Sequence, residues 1–288
     1  MKVFVAGGTG TIGVPLVRAL VAAGHEVTAL TRSSGRRSEV LALGASAAVA
    51  DALDRDALMA AVRDVRPTHV VHQLTALPKA GPRRVRDLAA TNRLRIEGTR
   101  HLLEAAIAAG ARRFVVGSFA ILSPRPATAG AVEDEAAAAV RSMETQVLEA
   151  TARGAIEGVV LRYGMFYGPE APSTTAMIEM VRRRRLPIVR GDAGELPIIH
   201  LDDAVSATVQ ALDMGRPGST FDIVDDRAVS LAEMTMALAE YTGSPAPLRV
   251  PAWLPRLVAP YLSRITSDRM PLSNARARAE LGLSLIHI

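Results

Sequence analysis

Cysteine is absent from this chain, which excludes disulfide bonds and thiolate metal sites. The six histidines show no metal-ligand spacing, so we expect no bound metal ion. Aromatic residues make up 3% of the 288 residues, which leaves few side chains for stacking on nucleic-acid bases. We find neither a signal peptide nor an apolar run of membrane-spanning length. We therefore expect a soluble cytoplasmic protein that binds neither nucleic acid nor membrane.

Lysine is nearly absent as well, since Lys2 and Lys79 are the only two. The net charge of +5 therefore comes from arginines, which are spread along the chain rather than gathered into one basic tract. Residues 182–185 are four consecutive arginines, which we interpret as a solvated helix end or, alternatively, as a binding site for an anionic substrate. The scarcity of lysine limits the acid–base pairs that the chain can form.

A glycine-rich turn at residues 7–13 joins an apolar run, residues 2–6, to an amphipathic one, residues 14–23. This order indicates a strand, a tight turn and a helix start, which together seat a dinucleotide pyrophosphate on backbone N–H groups. The first glycine permits the turn, the middle one lets the phosphates approach, and the last lets the helix pack on the strand. We predict that this turn binds the cofactor through Gly7, Gly10, Thr11, Ile12 and Gly13.

The loop after the second predicted strand indicates which dinucleotide binds. An NAD site normally has Asp or Glu there, about 20 residues past the glycines, to accept a hydrogen bond from the ribose 2′-hydroxyl. This chain has Arg32, followed by Arg36 and Arg37. A guanidinium binds a 2′-phosphate through charge-assisted hydrogen bonds. The loop therefore predicts NADP(H) in preference to NAD(H), with a merely solvated loop as the alternative.

Apolar strands alternate with helical periods along the first part of the chain. The alternation predicts an α/β protein with a Rossmann-like doubly wound parallel sheet, whose ligands bind at the carboxyl ends of the strands. After Gly168 prolines break this rhythm, which indicates a small C-terminal substrate lobe. Strands are predicted at residues 26–30, 47–50, 68–73, 113–117 and 159–161, and helices at residues 54–63, 88–109 and 135–152.

The domain organisation that we predict has three parts. Residues 1–168 form the dinucleotide-binding Rossmann domain, and residues 169–282 form the smaller substrate lobe, woven back onto the sheet. Residues 283–288 back-translate as CTG TCT CTT ATA CAC ATC, which resembles a transposon end used to tag sequencing libraries. We expect this tail to be non-native and the native chain to continue past Gly282, with a fold-closing strand as the alternative.

Further motifs follow the glycine turn in a characteristic order: Asp51 after strand three, His72-Gln73-Leu74-Thr75-Ala76 after strand four, and later Leu161–Pro169 and His200–Ala204. With the turn, they resemble the extended short-chain dehydrogenase/reductase family, also called the NAD-dependent epimerase/dehydratase family, from Met1 to about Gly282. The resemblance implies a nicotinamide cofactor, a small-molecule substrate and a possible homodimer. It also implies that the cofactor is contacted or positioned by Asp51, Ala52, Leu74, Thr75, Ala76 and Asn92.

The chain departs from this family at the catalytic residues. The resemblance implies a Tyr-x-x-x-Lys pair on the fifth helix, whose lysine lowers the tyrosine pKa, and a Ser or Thr near the end of strand five. None of the four tyrosines has a lysine four residues later. Alignment puts Ala139 in place of the tyrosine, Met143 in place of the lysine and Phe119 in place of the serine.

Losing a general acid typically costs about 10²–10⁴ in rate, so a reductase without the pair is weakened rather than impossible. We predict an atypical oxidoreductase that transfers a hydride between NADP(H) and an unidentified carbonyl, enone or sugar-like substrate. Tyr163 or Ser118 would supply the proton, although Tyr163 could equally be a packing residue. The alternatives are a catalytically silent NADP(H)-binding redox sensor or regulatory protein and a nucleotide-sugar epimerase or dehydratase.

Overall fold

Seven parallel strands form the central sheet. The computed structural model describes residues 1–78, 81–123, 134–191, 194–261, 263 and 272–285. From one edge to the other the strands are β10 (Thr220–Ile223), β6 (Glu157–Tyr163), β5 (Arg113–Phe119), β4 (His69–His72), β1 (Lys2–Ala6), β2 (Glu26–Thr31) and β3 (Ser46–Val49). This confirms the predicted α/β class and Rossmann-like sheet.

The strands are largely apolar because the sheet is covered on both faces. In β1, Val3 and Val5 pack into one core and Phe4 and Ala6 into the other, and all four are fully buried. Helices α1 (Gly13–Ala22) and α8 (Leu201–Asp213) pack against each other over the first core. The second core is covered by α3 (Arg55–Val65), α5 (Thr99–Ala108) and α6 (Glu135–Ala152).

The strand order reverses between β1 and β4, which places the ligand crevice at the carboxyl ends of these two strands. Helix α2 (Arg37–Ala42) follows the loop after β2. The predicted helix at residues 88–109 is interrupted in the structure: α4 (Ala89–Arg93) leads into a π-helical turn (Leu94–Gly98) and then into α5. A π turn holds an extra residue, so it changes which side chains face the sheet.

Part of the chain after residue 168 packs beside the carboxyl edge of the sheet, and another part joins the sheet and its helical layer. Strand β10 and helix α8 lie within this part and join the main layers. The division at residue 168 stays a prediction. Two short sheets lie outside the central one among the described residues: β7 (Met165–Tyr167) pairs with β9 (Ile198–His200), and β8 (Ile188–Val189) pairs with β11 (Arg249–Val250). Further helices are α7 (Pro172–Arg182), α9 (Leu231–Tyr241), α10 (Trp253–Val258) and α11 (Ala275–Leu281).

The C-terminal segment contributes to the core that underlies α1 and α8. Leu283 and Leu285 are buried there together with Leu281. Residues 286–288 lie outside the described residues, and the non-native origin of residues 283–288 stays a prediction. Within the described ranges, none of the helices has both the length and the apolar character needed to cross a membrane.

Candidate active site

The glycine turn has a geometry that only glycines permit at two positions. Gly7 has a φ of +93°, in the left-handed region, and a Cβ there would lie 2.6 Å from the Gln73 carbonyl oxygen. A Cβ on Gly13 would collide with the Gly7 carbonyl oxygen. The turn is closed by the Gly10 N–H, which donates to that same oxygen at 2.9 Å.

Helix α1 begins directly after this turn, at the carboxyl end of β1. Ile12 is its N-cap residue, and no side chain makes a capping hydrogen bond there. The first backbone N–H groups of the helix and the positive end of its dipole therefore lie next to the glycine-rich turn, which is the arrangement that fits a pyrophosphate. The residues present fit a dinucleotide, although the individual contacts of Thr11 and Ile12 stay predictions.

The basic loop after β2 lies beside the glycine turn. Arg32 is exposed immediately after Thr31, at the carboxyl end of β2. Arg36 reaches across to the turn, where its Nη1 donates to the Thr9 Oγ1 at 3.3 Å. Our sequence interpretation emphasised Arg32 over Arg36, because nothing in the sequence shows which arginine of the loop turns back. The Arg36 guanidinium therefore lies beside the glycine turn, and the binding of a 2′-phosphate by Arg32 or Arg36 stays a prediction.

The other predicted cofactor residues lie along the same edge of the sheet. Asp51 is exposed after β3, and its Oδ1 accepts from the Leu53 N–H at 2.9 Å, while Ala52 is buried. Leu74, Thr75 and Ala76 follow β4, and Thr75 is exposed. Their roles toward the cofactor stay predictions.

His72 anchors the segment after β4. Its Nδ1 accepts from the Leu74 N–H at 3.2 Å, so the neutral ring carries its proton on Nε2, which lies 2.9 Å from the Thr99 Oγ1. Burial, assisted by the positive charge of Arg95, lowers the pKa of His72 to about 4. His72 is therefore neutral at pH 7 and serves to hold β4 against α5.

The three positions that the family resemblance assigns to the catalytic residues are apolar. On α6, Ala139 and Met143 are buried, and Met143 packs into the core under that helix. Phe119, at the end of β5, packs against buried Leu122 on one side and against Ile121 and Leu196 on the other. These three positions offer no proton to a substrate.

Tyr163 and Ser118 lie on opposite faces of the sheet. Tyr163 is 3% exposed; its hydroxyl accepts from the Gln73 Nε2 at 3.0 Å and lies 2.7 Å from the Thr208 Oγ1. Because Thr208 donates to the Ala204 carbonyl oxygen, Tyr163 must be the donor to Thr208. Burial raises the pKa of Tyr163 to about 12. The structure therefore does not bring the two predicted proton donors together.

Ser118 belongs to a buried polar network on the α6 face. Its hydroxyl donates to the Glu144 Oε1 at 2.6 Å, and the Ser123 hydroxyl donates to the same oxygen at 3.0 Å. Arg162 completes the network with a two-pronged ion pair, Nε to Oε1 at 3.0 Å and Nη2 to Oε2 at 2.6 Å. Sequence reasoning missed Glu144 and Arg162, although a charged residue inside the apolar strand β6 was a usable sign of Arg162.

Asn92 is buried on α4, and its Oδ1 accepts a long hydrogen bond, 3.4 Å, from the Nη1 of Arg95. Arg95 lies in the π-helical turn and is 5% exposed. Burial lowers the pKa of this guanidinium to about 10. Sequence reasoning missed Arg95, because an arginine is rarely buried without a paired charge.

A cavity of about 280 Å³ lies between the β7–β9 pair and helices α7 and α9. Its charged residues, Arg227 and Glu233, pair with each other at 3.0 Å. Its wall residue Met165 packs in the same hydrophobic cluster as Phe119, which lies at the end of β5. The apolar wall includes Met165, Phe166, Met177, Val229, Met234 and Leu238.

Several characterised proteins are similar to this chain over its whole length. A 3-diazoavenalumate denitrifying reductase from Streptomyces sp is 39% identical, with 100% of this chain and 97% of the relative covered. A dihydroquinoline-1-oxide ketoreductase from Stigmatella aurantiaca is 28% identical, with coverage of 99% and 80%. These relatives are named as reductases, which agrees with the prediction of an enzyme.

Solved structures share the fold. The UDP-glucose 4-epimerase of Thermus thermophilus, in complex with NAD, is 26% identical with a TM-score of 0.79, over 99% of this chain and 94% of that chain. The dTDP-glucose 4,6-dehydratase DesIV of Streptomyces venezuelae is similar in fold, with a TM-score of 0.79 at 20% identity over 100% and 92% of the two chains. The family model for the NAD dependent epimerase/dehydratase family matches residues 3–224. With the glycine turn and the parallel sheet in place, the chain therefore belongs to the NAD-dependent epimerase/dehydratase family of extended short-chain dehydrogenases/reductases.

Proposed function

We propose that this protein is an NADP(H)-dependent reductase that delivers a hydride to an acceptor whose reduction needs no proton from the protein. The observation that carries the proposal is that none of the four tyrosines has a lysine four residues later. The positions that the resemblance assigns to the catalytic residues are the apolar Phe119, Ala139 and Met143, of which the two on α6 are buried. When bound, the reduced nicotinamide supplies the hydride. The residues of the chain bind and orient the cofactor and exclude water from the hydride path.

The class of acceptor follows from the charge balance. Hydride addition to a carbonyl leaves an alkoxide, which must take up a proton, and a missing general acid costs about 10²–10⁴ in rate. An arenediazonium cation is different, because cation plus hydride gives a neutral arene and dinitrogen. The carbon–nitrogen bond breaks, a carbon–hydrogen bond forms, and no proton is consumed. We therefore propose an aryl diazo compound as the substrate class.

The similarity to a denitrifying reductase supports this choice, because that relative is named for a diazo substrate and is 39% identical over the whole chain. The cavity supports it too, since an apolar wall with its two charges already paired suits an aromatic substrate better than a sugar diphosphate. The guanidinium groups of Arg32 and Arg36 beside the glycine turn support NADP(H) as the cofactor.

Carbonyl reduction is the second candidate, favoured by the similarity to a ketoreductase. In that case Ser118 or Tyr163 would supply the proton. Tyr163 already donates to Thr208, and Ser118 donates to Glu144, so either donor would first have to change its partner. This requirement makes carbonyl reduction the less favoured reaction.

The deciding experiment follows turnover of the purified protein with NADPH and either an arenediazonium salt or a panel of ketones and enones. The diazonium salt is labelled with nitrogen-15, and the labelled dinitrogen that it releases is measured in the headspace. Deuterium in the product is measured after reduction by NADPH that is deuterated on one or the other face of C4. Enzymatic reduction is expected to use one face only, whereas uncatalysed reduction uses both. A Tyr163→Phe variant is expected to keep this activity.

Three outcomes would contradict the proposal. Turnover of ketones without turnover of diazonium salts would establish carbonyl reduction, and a rate loss of about 10²–10⁴ in Tyr163→Phe would identify Tyr163 as the acid. Tight NADPH binding without any turnover would favour the sensor.

A further inference from the structure

Arg95 is a buried cation with an incomplete set of partners. Its side chain has five N–H donors. Over the described part of the chain its one hydrogen bond is to the Asn92 Oδ1, at the long distance of 3.4 Å. Burying a charge without an opposite charge costs folding free energy, so a buried guanidinium of this kind indicates a function that offsets the cost.

In two other arginines of this fold, a carboxylate neutralises the charge of the guanidinium and accepts its hydrogen bonds. Arg113 is also 5% exposed, and it donates to the Glu157 carboxylate at 2.9 Å and to the Ala211 and Leu212 carbonyl oxygens at 3.0 Å. Arg162 forms a two-pronged pair with Glu144. Arg95 differs from both because its single partner is a neutral amide.

The position of Arg95 is at the catalytic edge of the sheet. Thr99, one turn further along the same helix, contacts His72 at the carboxyl end of β4, and the charge of Arg95 acts on the His72 ring. The π-helical turn packs directly on α6, the helix whose catalytic positions are apolar. Tyr261 lies within electrostatic range of Arg95 and packs in the same cluster as Phe119.

We propose that Arg95 binds a carboxylate of the substrate and so determines which end of the substrate faces the hydride donor. The assignment rests on the proposed function, since it takes the crevice to be the site of a reductase. A carboxylate matches the planar fork of a guanidinium with two parallel hydrogen bonds, whereas the ribose hydroxyls of a cofactor would leave the charge unneutralised. The cofactor pyrophosphate belongs to the glycine turn after β1.

The same charge sets the direction of binding for a diazonium substrate. A guanidinium attracts the carboxylate and repels the cationic diazonium group, so the two ends of the substrate cannot exchange places. Arg95 therefore acts as a specificity-determining residue for aryl carboxylates that carry the reacting group at the far end.

The test measures binding without turnover. Isothermal titration compares trans-cinnamate with cinnamamide, its neutral isostere, on protein with and without NADP⁺. We expect the wild type to bind cinnamate about tenfold or more tightly than the amide, Arg95→Met to bind the two equally, and Arg95→Lys to keep part of the preference. Arg93→Met is the matched control, because Arg93 lies on the same helix but is exposed and paired with Glu97.

Equal binding of the two probes by the wild type, or a preference that survives in Arg95→Met, overturns the proposal. Loss of NADP⁺ affinity in Arg95→Met with an unchanged probe preference also overturns it and assigns Arg95 to the cofactor. Because no catalysis is measured, failure of diazonium reduction in the turnover assay is distinguishable from failure here. Arg95→Gln, which keeps a donor for Asn92, gives the same comparison if Arg95→Met does not fold.

Discussion

Three apolar residues and two arginines distinguish this site at the scale of single side chains. Phe119, Ala139 and Met143 hold no transferable proton, so the protein can orient a hydride transfer but does not offer the family's usual acid. Arg95 and Arg162 introduce charge into the same region, one without and one with a carboxylate partner. The reaction that suits such a site is one in which electrostatic positioning replaces proton transfer.

Glu144 is the residue that holds the end of β5 in place. We expect Glu144→Gln to lower the free energy of unfolding by about 2–3 kcal/mol, because it leaves Arg162 without a carboxylate and weakens the bonds from Ser118 and Ser123. The value is below that of a fully buried pair, since the Arg162 side chain is 22% exposed. Urea denaturation of the purified variant measures the change.

The matched control for Glu144 is Glu149→Gln on the same helix. Glu149 and its partner Arg153 are both more than half exposed and 3.9 Å apart, so solvent screens the pair and little change is expected. Equal losses in the two variants would contradict a stabilising role for the Ser118–Glu144–Arg162 network.

At the scale of elements, the loop between β2 and α2 carries the proposed preference for NADP(H). Ser33 caps its short 3₁₀ turn, Ser34–Arg36, by accepting from the Gly35 N–H at 3.2 Å, which turns Arg36 back toward Thr9. We expect Arg32→Ala and Arg36→Ala each to raise the Kd of NADPH about tenfold and to leave the Kd of NADH unchanged. Fluorescence titration with both cofactors measures the two constants.

Arg37 provides the control for this loop, because it is exposed at the start of α2. Arg37→Ala is expected to bind both cofactors as the wild type does. Wild-type protein that binds NADH as tightly as NADPH would refute the preference, and parallel losses for both cofactors in the arginine variants would assign the loop to general cofactor binding.

At the scale of the whole molecule, stability depends on pH through the histidines of β4. The pKa of His72 is lowered to about 4, from an unfolded value of about 6.5, so between these values the unfolded chain binds more protons than the folded one. The free energy of unfolding is therefore greatest above pH 6.5 and falls as the pH decreases toward 4. We expect His72 to account for about 3 kcal/mol of that fall at most.

Denaturation at a series of pH values measures this dependence. A His72→Asn variant removes the titrating ring and is expected to have a flatter profile between pH 6.5 and 4. His69 adds a slope of the same sign, since burial lowers its pKa to about 4 as well, assisted by Arg112 and Arg113. Parallel profiles for wild type and variant would show that the ring of His72 does not couple folding to protonation.

Most of the fold could be predicted from the sequence because its elements are encoded locally. The predicted helix at residues 135–152 matches Glu135–Ala152, and the first strand matches Lys2–Ala6. The helix at residues 88–109 was only partly predicted, because a regular period of 3.6 residues does not indicate a π turn. Asn92 was predicted from the family resemblance, whereas the buried charge of Arg95, three residues later, was not predicted.

The sequence by itself determined the family, the glycine turn, the basic loop and the absence of a Tyr-x-x-x-Lys pair, since each depends on residues that are close together in the chain. Only the tertiary structure decided that Ser118 and Tyr163 face opposite sides of the sheet, that Tyr163 is committed to Thr208, and that Arg95 is buried with a neutral partner. These facts depend on strand register, helix geometry and contacts between distant segments. Such contacts are set by the packing of the whole molecule, which no local pattern of residues specifies.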